Sequence, residues 1–199
     1  MWVNESWGFL FKGENFLIKV SVEPVKMDIN LHQIHGAKVV VYRGRDGYVG
    51  DGIITDKKGV VIGVKTADCY PIFLVSQNVV GVLHAGWRGS IKGIVLEGLK
   101  EIYENFGVKP KDVKAIFGPG ICGKCYEVGY DVASLFNGFV IFKDNGKYLL
   151  DLYLYNKHIL ENLGVKVIIP PPSCTYENKS LFSHRRGDRG RLYNTVVMV

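Results

Sequence analysis

Four short stretches of the 199-residue chain place polar side chains where a plain core would need none. They are Gln33-Ile34-His35-Gly36, Thr66-Ala67-Asp68-Cys69, His84-Ala85-Gly86-Trp87-Arg88-Gly89, and Phe182 to Gly187 with Gly190-Arg191 behind it. One thiolate and two imidazoles, from His35, Cys69 and His84, would suit Zn²⁺ and leave its fourth position open to water or substrate. Arg88 precedes an expected helix, whose N-terminal N–H groups and dipole favour an anion. Arg185, Arg186 and Arg191 add planar donors suited to phosphate, and Gly187 and Gly190 let backbone approach a ligand. Each stretch also has a plain reading when taken singly. A lone His is commonly a hydrogen-bonded surface residue, Cys69 beside apolar strands a small buried hydrophobe, and Gly86 and Gly89 servants of a turn.

Other candidates carry less. A two-His, one-Cys set could hold a single copper, but five histidines cannot furnish the ligands of a multicopper centre. Cys122-Gly123-Lys124-Cys125 is one Cys-x-x-Cys pair, and Cys174 adds a single further thiol; this cluster reads as structural. His32 and His158 read as surface positions.

The elements that must position these residues follow from periodicity. Strands are expected at Phe16 to Glu23, Lys38 to Tyr42, Val60 to Lys65, Ile72 to Ser76, Val79 to Leu83, Val113 to Phe117, Val165 to Ile169 and Leu192 to Met198. Phe139 to Phe142 and Lys147 to Leu150 flank Asp144-Asn145-Gly146, a hairpin turn signal. Ile91, Val95, Leu99, Ile102 and Phe106 mark one face of a helix with Ser90 as N-cap and Gly107 behind it. A second helix is expected from about Leu152 to Leu163, closed by Gly164. Strands outnumber helices and cluster rather than alternating strictly with them, which predicts an α+β fold, a compact single domain over residues 1–199 with mixed β-sheets flanked by helices.

Composition bounds the function. Hydrophobic residues make up 47% and charged residues 22%, which excludes a disordered chain. Net charge is +6, yet no basic run exceeds two residues, so anionic small molecules fit better than nucleic acid or a membrane surface. Cys69 to Trp87 holds no charge, but Pro71, His84 and Ser76-Gln77-Asn78 make it two buried strands and a turn rather than a membrane span. Met1 to Phe11 lacks a basic n-region, so a cytoplasmic location is expected, with thiols rather than disulfides.

Five motifs in order resemble the laccase-domain family, once described as polyphenol oxidases and now as zinc-dependent purine nucleoside phosphorylases. They are Gln33 to Gly36, Thr66 to Ile72, His84 to Gly89, Gly118 to Val128 and Phe182 to Arg186. The resemblance covers the chain from about residue 30 onward, departing from the family at Cys122 and Gly187. It implies a zinc site at His35, Cys69 and His84. It also implies phosphorolysis of adenosine, inosine, guanosine and methylthioadenosine to free base and (methylthio)ribose 1-phosphate, with adenosine deamination as a side activity. The implied fold is related to cysteine hydrolases of the deamidating-toxin type.

On this reading Arg88, Arg185 and Arg186 are the phosphate candidates, with Arg186 counted among the catalytic residues and Gln33 among the substrate-binding ones. Asp68 is a general acid or base, or else a carboxylate orienting a ligand histidine. A monomer is expected. Two rival classes use the same residues. In a metal-free cysteine hydrolase Cys69 would be the nucleophile and His84 its base. In a noncatalytic domain zinc would stabilise the fold and the basic face would bind nucleic acid.

Overall fold

The structure, a computed structural model, describes residues 1–29, 31–44, 47–143 and 145–199. Its strands are β1 (Trp2–Glu5), β2 (Gly8–Lys12), β3 (Phe16–Ser21), β4 (Leu31–His32), β5 (Val39–Val41), β6 (Tyr48–Val49), β7 (Gly52–Thr55) and β8 (Ile62–Thr66). They continue as β9 (Tyr70–Val75), β10 (Val80–Ala85), β11 (Lys114–Phe117), β12 (Glu127–Val128), β13 (Val140–Phe142), β14 (Tyr148–Leu150), β15 (Lys166–Ile168) and β16 (Leu192–Met198). The helices are α1 (Trp87–Ile91), α2 (Ile94–Phe106), α3 (Tyr130–Ala133) and α4 (Leu152–Asn162).

Two sheets stack and helices cover one of them. The first sheet runs β1-β2-β3-β16-β8, with every pair antiparallel. The second runs β15-β11-β9-β10-β7-β5, with parallel pairs only at its two edges. Alternation along β9 explains the layering, because successive side chains point to opposite faces. Phe73 and Val75 join Ile18, Val20, Ile62 and Val196 between the sheets. Ile72 and Leu74 join Val95, Leu99 and Ile102 of α2 and Leu160 of α4 on the other side. All twelve residues of β9 and β10 are buried, which is why that stretch of sequence carries no charge. This is the expected α+β arrangement of mixed sheets and helices.

The first helix differs from expectation. Gly93 adopts a left-handed φ of 82° and splits the predicted helix into α1 and α2. Ser90 is therefore not an N-cap. It lies buried in α1, where its Oγ accepts a hydrogen bond from Asn156 Nδ2 of α4 at 2.9 Å. The second helix keeps its expected bounds within a residue, and Asp151 caps it by accepting from Leu154 N at 2.9 Å. At the predicted β13–β14 turn, Asp144 lies outside the described residues, while Lys143 N–H donates to Lys147 O at 2.8 Å and Gly146 takes a φ of 74°. The β1–β2 hairpin and the central strand β7 have no counterpart in the periodicity reading.

Topology gathers the chain's polar stretches at one end of the sandwich. In the register of β9 and β10, Ala85 faces Tyr70 and His84 faces Pro71. In that of β10 and β7, Leu83 faces Gly52, and in that of β16 and β8, Leu192 faces Thr66. So the start of β7, the end of β8, the start of β9, the end of β10 and the start of β16 share one edge of the two sheets. Val39 pairs with Gly52, which brings the approach to β5, and with it His35, to the same end.

A candidate active site at one end of the sandwich

The site is organised by Asp51, a fully buried carboxylate between Gly50 and Gly52. Its Oδ1 lies 3.0 Å from His84 Nδ1 and accepts the His35 backbone N–H at 2.8 Å. Its Oδ2 accepts from Gly36 N at 2.7 Å and from Ile34 N at 3.3 Å. One side chain thus fixes the His84 ring and the turn that presents His35. The two imidazoles meet edge to face, their centroids 4.8 Å apart.

Cys69 joins them because it precedes Tyr70 and so stands opposite Gly86. A Cβ at residue 86 would lie 2.7 Å from Cys69 Sγ, so the space the thiol occupies exists only because residue 86 is glycine. A small void is lined by His35, Cys69, His84 and the Gly86–Gly89 turn. With Nδ1 engaged by Asp51, Nε2 is the nitrogen His84 can offer a metal. Two imidazoles and a thiol around such a void are a donor set that fits Zn²⁺. Among the described residues, the two non-glycine residues with left-handed φ are His35 at 56° and Asp68 at 85°. Such conformations cost about 1–3 kcal/mol each and gather where function requires them.

Burial alone would push the His84 imidazole down, but Asp51 and the neighbouring Cys69 outweigh it and raise its pKa to about 9. Burial likewise opposes ionisation of Asp51, yet the His84 ring and the N–H groups of Gly36 and His35 hold its carboxyl below the ordinary value. His35 is pushed down by burial and by the positive field of His84.

Above the imidazoles opens a cavity of about 600 Å³, lined by residues of all these elements. Lys65, Arg88, Arg185 and Arg191 line it, against the single carboxylate of Asp68. Two arginines are braced on aromatic faces, Arg88 at 4.3 Å from the Trp87 centroid and Arg185 at 5.3 Å from that of Tyr126.

Of the expected site residues, His35, Cys69, His84, Asp68, Gln33, Arg88 and Arg185 all line this cavity. Gln33 is there with its amide already engaged, Nε2 donating to Lys65 O at 2.9 Å and Oε1 accepting Lys65 N–H at 2.7 Å. Asp68 accepts Thr175 Oγ1–H and Arg185 N–H, each at 2.7 Å, so both its oxygens are held. The carboxylate that orients a histidine is Asp51, not Asp68. Arg186 is not brought to the cavity. Its NH1 donates to the carbonyls of Thr175 and Tyr176 at 2.8 and 2.7 Å, and its NH2 to Leu181 O and Asp188 Oδ2. A guanidinium engaged by four protein acceptors ties a loop together.

Asp51, Tyr126 and Thr175 belong to the site although sequence reasoning does not single them out. The signal for Asp51 is faint: an acid between two glycines, just before the apolar pair Ile53-Ile54. Cys122, Cys125 and Cys174 lie off the cavity, and with Glu177 they form a group that could hold a metal ion, its ligand atoms all within 4.8 Å of one another.

Fold and site together define an α+β protein with a cationic cavity built over two imidazoles and a thiol. The chain belongs to the family described as multi-copper polyphenol oxidoreductase laccase, whose model matches residues 15–199. Among its relatives is the purine nucleoside phosphorylase of Deinococcus radiodurans, 36% identical over 174 residues that span 83% of this chain and 68% of that protein. Another is adenosine deaminase RL5 from an unknown prokaryotic organism, 37% identical over 68% of this chain and 56% of that protein. The crystal structure of Bacillus licheniformis hypothetical protein YfiH shares the fold, with a TM-score of 0.79 at 24% identity, over 86% of this chain and 74% of that one.

Proposed function

We propose that the chain is a zinc-dependent purine nucleoside phosphorylase acting on adenosine, inosine, guanosine and methylthioadenosine, with adenosine deamination as a side activity. The observation that carries this reading is the cavity itself. Four cationic side chains and three imidazoles (His35, His84 and His184) face a space large enough for a nucleoside plus phosphate, against one carboxylate whose oxygens are both bound. The names of the relatives support the substrate class.

Phosphorolysis needs a bound phosphate, a nucleoside held in line with it and a stabilised leaving purine. Arg88 and Arg185 supply the phosphate donors, and their stacking on Trp87 and Tyr126 limits the rotamers they would lose on binding. Asp68 acts as a positioning residue, since it holds the Arg185 backbone at the cavity wall and is itself anchored by the buried Thr175 hydroxyl. Asp51 keeps the His84 ring in one orientation. His35, Cys69 and His84 would hold Zn²⁺, which when bound supplies Lewis-acid polarisation of a substrate atom, or an activated water for deamination. Free thiols at all four cysteines suit the cytoplasm.

The test is purified protein of measured metal content with adenosine or inosine, with and without phosphate. Phosphate-dependent release of free base and ribose 1-phosphate, lost in His84→Ala, is expected. Zinc-loaded protein that releases no base overturns the reading. One observation favours a second reading: Cys69, His84 and Asp51 are ordered as nucleophile, base and orienting carboxylate. That metal-free hydrolase would lose activity to iodoacetamide and keep it under chelation.

A further inference from the structure

Cys122 and Cys125 lie in the loop between β11 and β12, and Cys174 lies 52 residues beyond Cys122 in the segment that follows β15. Cys122 N–H nevertheless donates to Cys174 Sγ at 3.2 Å, and all three thiols are free. Cys125 N–H and Tyr126 N–H both turn back onto Cys122 O, at 2.9 and 3.1 Å, closing a tight turn between the two cysteines. On the other segment Asn178 N–H donates to Cys174 O at 2.9 Å, a helical turn that sets Cys174 and Glu177 on one side. Thr175 N–H donates to Gly120 O at 3.1 Å and holds the two segments together.

We propose that Cys122, Cys125, Cys174 and Glu177 form a second metal site, a closed structural zinc site that clips the β11–β12 loop to the Cys174–Glu177 turn. The four ligand atoms already lie within 4.8 Å of one another. Tetrahedral zinc with Zn–S of about 2.3 Å needs sulfurs about 3.8 Å apart, so small rotamer adjustments complete the shell. Three thiolates and one carboxylate suit zinc and exclude the oxygen-seeking Ca²⁺ and Mg²⁺. Four protein ligands leave no open position, and none of the four lines the cavity, so the role is structural. Binding replaces the thiol protons by the metal, with no redox change. N–H groups aimed at a sulfur are the usual support of a metal thiolate.

The clip would act on the cavity through its neighbours. Tyr126 and Glu127 follow Cys125 directly, and they carry the stacking face and a carbonyl acceptor for Arg185. Thr175 follows Cys174 and donates to Asp68. The site therefore sets the wall on which Arg185 stands, whatever reaction the cavity performs.

The experiment is metal analysis of full-length protein after growth with Zn²⁺, in wild type, Cys174→Ser, Glu177→Gln and His84→Ala. Wild type should carry one more zinc than Cys174→Ser, and His84→Ala should keep that ion whether or not the cavity site is loaded. Reconstitution with Co²⁺ should give a sulfur-to-cobalt charge-transfer band that survives in His84→Ala and is lost in Cys174→Ser. Glu177 is exposed, so Glu177→Gln should fold normally and release zinc to a competing chelator more readily than wild type. Equal zinc in wild type and Cys174→Ser would overturn the proposal. So would a metal-free wild type with a Cys122–Cys125 disulfide by mass, or a Co²⁺ band that depends on His84 alone.

Discussion

Asp51 and His84 are joined twice: the carboxylate lies 3.0 Å from the ring Nδ1, and the Asp51 carbonyl accepts the His84 backbone N–H at 2.7 Å. Adjacent strands β7 and β10 thereby fix both the backbone and the ring of one proposed zinc ligand. Asp51→Asn should keep the fold's outline, since the backbone bond remains, but lose the anionic partner of His84. Partners of this kind typically contribute about 10–100-fold to metal affinity or activity. Competition with a chromophoric chelator should show zinc binding weakened by that order, and unchanged affinity would remove Asp51 from the site.

Arg88 and Arg186 should separate cleanly. Arg88→Ala removes a cavity-facing cation whose ring partner is Trp87, so the KM for phosphate should rise at least about tenfold, as expected for a charge-assisted contact, with little change in Tm. Arg186→Ala strips four acceptors of a charged donor. These bonds are part-buried or exposed, so the loss should be modest, seen as a lower Tm. A normal Tm with a raised phosphate KM in Arg186→Ala would return that residue to the cavity.

Gly86→Ala tests the space around Cys69. The backbone at residue 86 has φ −81° and ψ 172°, which alanine adopts freely, so the added Cβ 2.7 Å from Cys69 Sγ is the whole perturbation. Displacement of a reacting or ligating group by about 1 Å can cost about 10²-fold in rate. Turnover and zinc content should fall together at unchanged circular dichroism.

Asn156 bridges the helices that flank the site, donating to Ser90 Oγ at 2.9 Å and to Leu152 O at 2.8 Å from a fully buried position. Asn156→Ala leaves Ser90 Oγ short of its donor, while Leu152 O keeps the helical N–H of residue 156, at about 1–3 kcal/mol. A chain of this length loses about 2–4 °C of Tm per kcal/mol. Thermal unfolding that matches wild type would mean α1 and α4 are held without this pair.

Acid should loosen the Ser183–Asp188 turn. The N–H of Ser183 and the Arg186 guanidinium hold the Asp188 carboxyl below its ordinary value of 3.8. A carboxyl depressed on folding adds stability above its unfolded pKa, and that contribution is lost as pH falls through the lower folded value. Wild type should therefore exceed Asp188→Asn in Tm at pH 7, with the gap closing below about pH 4. A gap that stays constant into acid would show the charge to be irrelevant.

Much of the fold is legible in the residue pattern. The uncharged run from Cys69 to Trp87 can only be satisfied by strands buried on both faces, and β9 and β10 are just that. Placing Cys69 and His84 at the outer ends of one hairpin makes their meeting predictable. The helix break at Gly93 is not legible in this way, because the apolar period runs through it and only the left-handed φ reveals it.

Side-chain pattern is enough to set the element types, the layered core and the residues able to do chemistry, because burial and periodicity are local consequences of that pattern. Which polar groups share a partner is settled by packing alone. Asp51 reads as an acid in a glycine turn until β7 pairs with β10 and sets it under His84. Arg185 and Arg186 are chemically identical neighbours, and only the packing of residues 175–188 sends one to the cavity and the other into the loop. Cys174 is a lone thiol until the chain brings it to Cys122. Such pairings depend on contacts between residues far apart in the chain, which no pattern of near neighbours records.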